Sequence, residues 1–464
     1  MNRSTTYQYA ILALLALLIG VHADSALKGM AAASTPSESD ALQARTLAKD
    51  GRLQISMGKP VVVMSDGGYQ PYLFCSSRGT LFCQAQLDEK PFNTKHKMVY
   101  PMRIGTAISR DRGATWAPWT YEANHDDVFI EGGAIECTDG SILMLDTFVM
   151  PGEKPDHGIG ELWTSHDDLR SLHGPTAVDF YLPTIVWGGS TDDNAAVKRN
   201  WARLHRSIIE MPNGDLLALM YSRFNGDTAP SAYLATMIKS REVVLRSRDR
   251  GLTWSYLSTI GVDGAVGTEG FDEGALVRVS RGPHTGRLLC LMRTGRDLYG
   301  SHSDDGGLTW VRPTPVQLPG IDIYDTAKWE RLFVNPNAPG YVPTDEMIGD
   351  LVDPDLIQMK NGALVLAVGV RIPARKSLFQ NWRAPENGDY LAFSLDGGDT
   401  WSQVVQYRSG EPTTHYTGVR EISPGLLYVV YDNSIWKEHV NTGARHDTMG
   451  FQLVVERADG LASN

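Results

Sequence analysis

The octapeptide SRDRGLTW at 247–254 has three close copies in the same chain: SRDRGATW at 109–116, SDDGGLTW at 303–310 and SLDGGDTW at 394–401. A catalytic aspartate is needed once, whereas a structural device is needed in every unit of a repeated architecture, so this repetition constrains the fold before any single residue is weighed. The pattern Ser-x-Asp-x-Gly-x-Thr-Trp reads as a turn. Its glycine permits a positive φ, its serine and aspartate can bond to turn backbone groups, and its tryptophan is a large apolar plug between neighbouring sheets. Asp111, Asp249, Asp305 and Asp396 are therefore expected to be scaffold residues. SHDDLRSLHGP at 165–175 reads as a decayed fifth copy.

A second repeat runs between the first. Two β-rich apolar runs flank a glycine turn in YLFCSSRGTLFCQAQ (72–86), GAIECTDGSILMLDTF (133–148) and SIIEMPNGDLLALMYSRF (207–224). The same arrangement returns in ALVRVSRGPHTGRLLCLMR (275–293), DLIQMKNGALVLAVGVR (355–371) and GVREISPGLLYVVYD (418–432). Each is a hairpin by its turn chemistry, with turn glycines at Gly79, Gly140, Gly214, Gly286, Gly362 and Gly425. Spacings of roughly 60 to 75 residues leave room for four strands and loops in each repeat. The expected fold is all-β, a six-bladed β-propeller of four-stranded antiparallel sheets over 49–458, because radial repetition protects the edges of sheets placed in series. The β-rich segments 51–64 and 450–457 are suited to closing the ring.

The formal charge of −11 argues against nucleic-acid or anionic-membrane partners, which require clustered Lys and Arg. Arg3, an apolar run at 10–21 and small residues before Asp24 read as a secretory signal over 1–23, with a polar linker at 24–48. A secreted or periplasmic protein with no membrane anchor after cleavage is expected. Four cysteines, at 75, 83, 137 and 290, exclude a disulfide-built scaffold. Cys75 and Cys83 bracket a turn and are either a cross-hairpin disulfide or buried thiols. No spacing suggests zinc, and no metal or cofactor is expected.

The four boxes on a six-fold hairpin repeat resemble the sialidase superfamily over nearly all of 50–458. That resemblance implies a glycosidase whose site faces the central channel and whose partner is a glycan. FDEGALVRV and GRLLCLMRTGR, within 271–296, are similar to the sialidase segment that supplies a site glutamate and arginine, implying Glu273 and Arg293. HYTGVREI at 415–422 resembles the segment carrying the nucleophilic tyrosine and places it at Tyr416. A phenol titrates near 10 and needs a carboxylate to take its proton, a role that falls to Glu273. Sialidases use tyrosine as an exception to the usual pair of carboxylates.

Other positions depart from the family pattern. YQP puts Gln70 where a carboxylate-binding arginine stands in sialidases, and AQLDEKPFN (85–93) puts Asp88 at a second. Aligning the hairpin glycines offers replacements in Arg223 and Arg371, which join Arg293 on the second strands and favour an anionic sugar. Asp88 is the first choice for acid/base and Asp66 the second, with Glu131 and Asp353 as carboxylates opening the second and fifth repeats. His125, His205 and His415 precede or open inner strands and are read as sugar-bonding groups. Trp187, Trp201, Trp382 and Trp436, outside the boxes, are candidates for stacking on a sugar. The reading is an exported, exo-acting, sialidase-like glycosidase; the alternatives are a polysaccharide lyase acting on uronates and a non-catalytic glycan-binding propeller.

Overall fold

The glycine turns set the architecture. A computed structural model describes residues 44–65, 68–87, 103–119, 130–187, 202–232, 237–325, 348–374, 386–409, 413–433 and 447–458. All six turn glycines take positive φ, from 75° at Gly425 to 103° at Gly286, where a side chain would be strained. Each reverses the chain between a first and a second antiparallel strand.

Three strands, β1 (Arg45–Ala48), β2 (Leu53–Met57) and β3 (Val61–Met64), precede a series of antiparallel quartets. The first quartet is β4 (Tyr69–Cys75), β5 (Leu81–Leu87), β6 (Arg103–Ser109) and β7 (Ala117–Pro118). The second comprises β8 (Gly133–Glu136), β9 (Ile142–Leu145), β11 (His157–Ser165) and β12 (His173–Tyr181), with β10 (Phe148–Pro151) between β9 and β11 in the chain. The third is β13 (Ala202–Glu210), β14 (Leu216–Ser222), β15 (Arg241–Ser247) and β16 (Thr253–Gly261). The fourth is β17 (Asp272–Arg278), β18 (Leu288–Arg293), β19 (Tyr299–Ser303) and β20 (Thr314–Pro315). The fifth is β21 (Asp350–Gln358), β22 (Leu364–Arg371), β23 (Gly388–Ser394) and β24 (Gln403–Ser409), with β1 added at its edge. The last contains β25 (Thr417–Ser423), β26 (Leu426–Asp432) and β27 (Thr448–Arg457), and its fourth strand is β2. β12 and β16 pair in parallel, joining the second and third quartets into one sheet.

Successive first strands pack side by side: β8 on β13, β13 on β17, β17 on β21, β21 on β25 and β25 on β4. Tyr72, Phe74 and Phe82 of the first quartet meet Ile142, Met144 and Trp163 of the second in one buried cluster. Each fully buried large apolar side chain contributes about 1.5–3 kcal/mol, and such clusters lie between quartets as well as within them.

The repeated octapeptides sit between third and fourth strands and share one hydrogen-bond pattern. Ser109 Oγ donates to Asp111 Oδ1 at 2.8 Å, Asp111 Oδ1 accepts the Thr115 amide at 2.9 Å, and Ser109 Oγ accepts the Gly113 amide at 2.8 Å. The bonds recur around Asp249, Asp305 and Asp396. Asp167 in the degenerate copy makes them too, with Leu169 at φ 59° in the glycine position. These aspartates hold turns. The tryptophans reach the preceding quartet: Trp116 Nε1 donates to Tyr428 Oη at 2.8 Å and Trp310 Nε1 to Ser258 Oγ at 3.0 Å. A Cβ on Gly113 would stand 1.9 Å from the Tyr428 ring, so this contact admits only glycine.

The chain joins the sheets earlier than the linker boundary at 48 anticipates, since Arg45–Ala48 pairs with β24. Cys75 and Cys83 are free thiols: Cys83 pairs with Leu73 and Cys75 with Leu81, so the two do not face each other. The leader region 1–23 lies outside the described residues. No helix among the described residues is long and apolar enough to cross a membrane.

Candidate functional site

Backbone strain marks one end of the first strands. Gln70 (φ 51°), Arg206 (50°), Glu273 (39°), Asp353 (52°) and His415 (66°) all take the left-handed conformation without being glycine, and Gly133 (130°) holds the corresponding place in the second quartet. In the first, third, fourth and fifth quartets the pairing register skips across that residue. A skip of this kind is a bulge, which re-aims a side chain at the cost of about 1–3 kcal/mol of strain. All five non-glycine residues are buried.

Two of these strained ends bring Tyr416 and Glu273 together. Tyr416 Oη donates to Glu273 Oε1 at 2.6 Å, although 143 residues separate them. Arg293, from the end of β18, donates to Glu273 Oε2 at 2.9 Å and stands 3.3 Å from the phenol oxygen. Its other terminal nitrogen donates to Glu269 Oε1 at 2.9 Å. The guanidinium of Arg371, ending β22, lies 5.5 Å from the centre of the Tyr416 ring, and that of Arg206 lies 5.9 Å from it. Gly369 makes the approach possible, because a Cβ there would meet the His415 carbonyl oxygen at 2.0 Å.

Electrostatics assign the shared proton. Burial, reinforced by the neighbouring Glu273 charge, pushes the Tyr416 phenol well above its ordinary value against the opposing pull of Arg293 and Arg371. Burial alone would also raise Glu273, but Arg293 foremost, with His205, Arg203 and the tyrosine hydrogen bond, holds it well below the usual carboxylate range. The resting pair is a neutral phenol and an ionised carboxylate. Asp350 lies 4.0 Å from both Arg293 and Arg371, and burial raises it despite those arginines.

Arg206 crosses between quartets. It donates to the Thr417 carbonyl at 2.5 Å and the Pro71 carbonyl at 3.1 Å, and lies 2.8 Å from Asp353 Oδ2 and 3.4 Å from Glu131 Oε1. Arg203 donates to Glu131 Oε2 at 2.6 Å. Burial opposes ionisation of Glu131, but Arg203 and Arg206 outweigh it and depress its pKa.

Glu242 is buried beside this region, its carboxyl against the Gly274 backbone. Burial raises its pKa well above the ordinary value. A raised folded pKa gives stability that is complete below the unfolded pKa, near 4.3, and is lost as pH rises towards the folded one. Glu242→Gln, a neutral isostere, is therefore expected to add about 1–3 kcal/mol at pH 7 and nothing below about pH 4. Denaturant unfolding of both proteins at the two pH values measures this, and equal stability at pH 7 would contradict it.

Of the residues singled out from sequence, Tyr416, Glu273, Arg293 and Arg371 form one cluster, and Glu131 and Asp353 adjoin it through Arg206. Gln70 is buried, with its side-chain oxygen accepting from Gln86 and its backbone N–H donating to Asp432 Oδ2 at 3.0 Å. Arg223 is partly buried with Asp227 as its neighbouring charge, and among the described interactions none joins it to Tyr416 or Glu273. The third arginine at the tyrosine is Arg206, which alignment of second strands could not reach. Glu269, Asp350, Arg203 and Arg206 were not anticipated. Asp66, Asp88, His125, Trp201, Trp382 and Trp436 lie outside the described residues. Trp187 donates to the Pro155 carbonyl at 3.1 Å and packs with the second and third quartets. His415 is buried, and His205 stands between Glu131 and Asp353 rather than facing solvent.

No protein-family model matches the sequence, and no curated protein matches it. Solved structures do share its fold. A protein of unknown function from Dyadobacter fermentans superposes with a TM-score of 0.57 at 16% identity, over 87% of this chain and 99% of that one. A Hadza microbial sialidase gives 0.51 at 14% identity, over 86% and 69%. An α-L-arabinofuranosidase from Fusarium graminearum, solved with an iminosugar inhibitor, gives 0.50 at 12% identity, over 87% and 98%. The chain has an all-β, propeller-like fold similar to that of these glycoside hydrolases.

Proposed function

We propose that the chain is an exported, exo-acting, sialidase-like glycoside hydrolase in which Tyr416 is the nucleophile and Glu273 its base, at the centre of six quartets arranged as propeller blades. The observation that carries this reading is the 2.6 Å hydrogen bond from the buried phenol to an ionised carboxylate. Glu273 accepts the phenolic proton as the tyrosine oxygen attacks the anomeric carbon and the glycosidic C–O bond breaks. The leaving oxygen takes a proton from an acid for which Asp88 and Asp66 are the sequence candidates. Water then cleaves the glycosyl–tyrosine bond, the attacking water losing its proton to that conjugate base, and the tyrosine recovers its own from Glu273.

Arg371 favours an acidic sugar. Its Nη2 is committed to the Thr414 carbonyl at 2.9 Å, while its nearest described carboxylate, Asp350, stands back at 4.0 Å. A sugar carboxylate beside it would gain a charge-assisted bond. One observation favours a second reading, a neutral sugar: Asp350 lies equally close to Arg293 and Arg371 and supplies an internal negative charge to both.

A panel of fluorogenic sialosides, uronides, sulfated sugars and arabinofuranosides tests the proposal. Release of the aglycone with retained anomeric configuration is expected from one acidic member. An ultraviolet-absorbing unsaturated product would show a lyase, and saturable binding without turnover would show a glycan-binding protein.

A further inference from the structure

Next to the tyrosine, three side chains from different repeats converge without exposure to solvent: Glu131 before β8, His205 on β13 and Asp353 on β21. One ligand-type atom from each lies within 4.8 Å of the other two. His205 Nε2 is 3.5 Å from Asp353 Oδ1 and 3.9 Å from Glu131 Oε1.

The orientation of the imidazole is set from its far side. His205 Nδ1 lies 3.2 Å from the carbonyl oxygen of Gly274, which can only accept, so Nδ1 carries a hydrogen and Nε2 is the ring nitrogen turned towards the two carboxylates. Nε2 and Asp353 Oδ1 have no hydrogen-bond partner among the described residues. The two atoms stand 3.5 Å apart, a gap longer than an ordinary hydrogen bond.

The remaining oxygens are already occupied. Arg203 takes Glu131 Oε2 at 2.6 Å. Arg206 lies 2.8 Å from Asp353 Oδ2, which also accepts the Thr417 amide at 3.0 Å. Each carboxylate is thus oriented by an arginine, as outer partners orient ligands around a metal: Asp353 Oδ1 faces His205, and Glu131 Oε1 lies between Arg206 at 3.4 Å and His205 at 3.9 Å. The region also buries Glu242, Glu269, Asp272, Glu273 and Asp350 against Arg293 and Arg371, an excess of carboxyl groups that can balance added positive charge.

We infer that Glu131 Oε1, His205 Nε2 and Asp353 Oδ1 bind one divalent first-row cation, tying the first strands of the second, third and fifth quartets together. One imidazole and two carboxylates suit Mn²⁺ or Zn²⁺, and small side-chain shifts bring all three atoms to the about 2.0–2.2 Å such ions require. Because Asp353 Oδ2 holds the amide that follows Tyr416, the cation would steady the tyrosine's strand.

The test uses the full chain, stripped with a chelator, dialysed and titrated with Mn²⁺ or Zn²⁺ by calorimetry. One cation per chain is expected, with a rise in thermal midpoint and an affinity at least about 100-fold weaker in His205→Ala. Wild type without stoichiometric binding, or a folded His205→Ala that binds equally well, would overturn the inference. Should His205→Ala fail to fold, Co²⁺ loaded into wild type gives a second readout. Visible absorption of a low-coordinate site with nitrogen ligation supports the inference, and the pale octahedral oxygen-only spectrum refutes it.

Discussion

Tyr416→Phe is expected to reduce kcat on the best substrate by about 10³-fold or more with little change in KM. The substitution removes one oxygen. Phenylalanine keeps the ring that Arg206 and Arg371 flank at 5.9 and 5.5 Å, so the aromatic contacts survive. What is lost is the atom that would bond to the anomeric carbon and its 2.6 Å link to Glu273. Glu273 retains Arg293 at 2.9 Å, so its charge stays compensated. Steady-state kinetics and circular dichroism of the two proteins measure the effect. A variant that is folded and within tenfold of wild type would dismiss the tyrosine mechanism, whichever sugar the enzyme prefers.

Arg206→Met is expected to cost the most stability, about 4 kcal/mol or more. Arg206 is completely buried and reaches the first quartet through the Pro71 carbonyl, the last through Thr417, the second through Glu131 and the fifth through Asp353. Removing it strands two carbonyls and takes the close cation from Asp353, at about 1–3 kcal/mol for each unsatisfied group and more for the charge. Combining Arg206→Met with Asp353→Leu should recover part of the loss, since deleting both halves of a buried pair is milder than deleting one. Guanidinium unfolding of the single and double variants gives the comparison. An Arg206→Met protein within 1 kcal/mol of wild type would mean that the crossing arginine is dispensable.

The repeat was legible because it is written in local chemistry. Glycine turns, apolar alternation and the Ser-Asp-Gly-Thr bonds depend on residues a few positions apart, and each recurs often enough to be recognised. The pair at the site was legible only through resemblance to a known family, since no local rule links Tyr416 to Glu273. Arg206 shows what escaped. Side chains in a regular strand alternate, and alignment on Gly214, Gly286 and Gly362 led to Arg223, Arg293 and Arg371 on that basis. A left-handed residue inside a bulge breaks the alternation, and nothing in HRSIIE announces that Arg206 adopts φ 50°. The gathering of Glu131, His205 and Asp353 was hidden for a related reason: three repeats each contribute one residue, so no spacing along the chain betrays it.

The pairing of β2 with β27 governs how the molecule can be made. A ribosome releases Leu53–Met57 well before Thr448–Arg457, so the early strand waits, unpaired, until all the strands between them have emerged. Until then the growing assembly is an open arc with sticky flanks at both extremities. A nascent chain stalled before its final hairpin would invite the arc of a second molecule to complete it, and any tag or truncation that hinders the early strand would have the same effect.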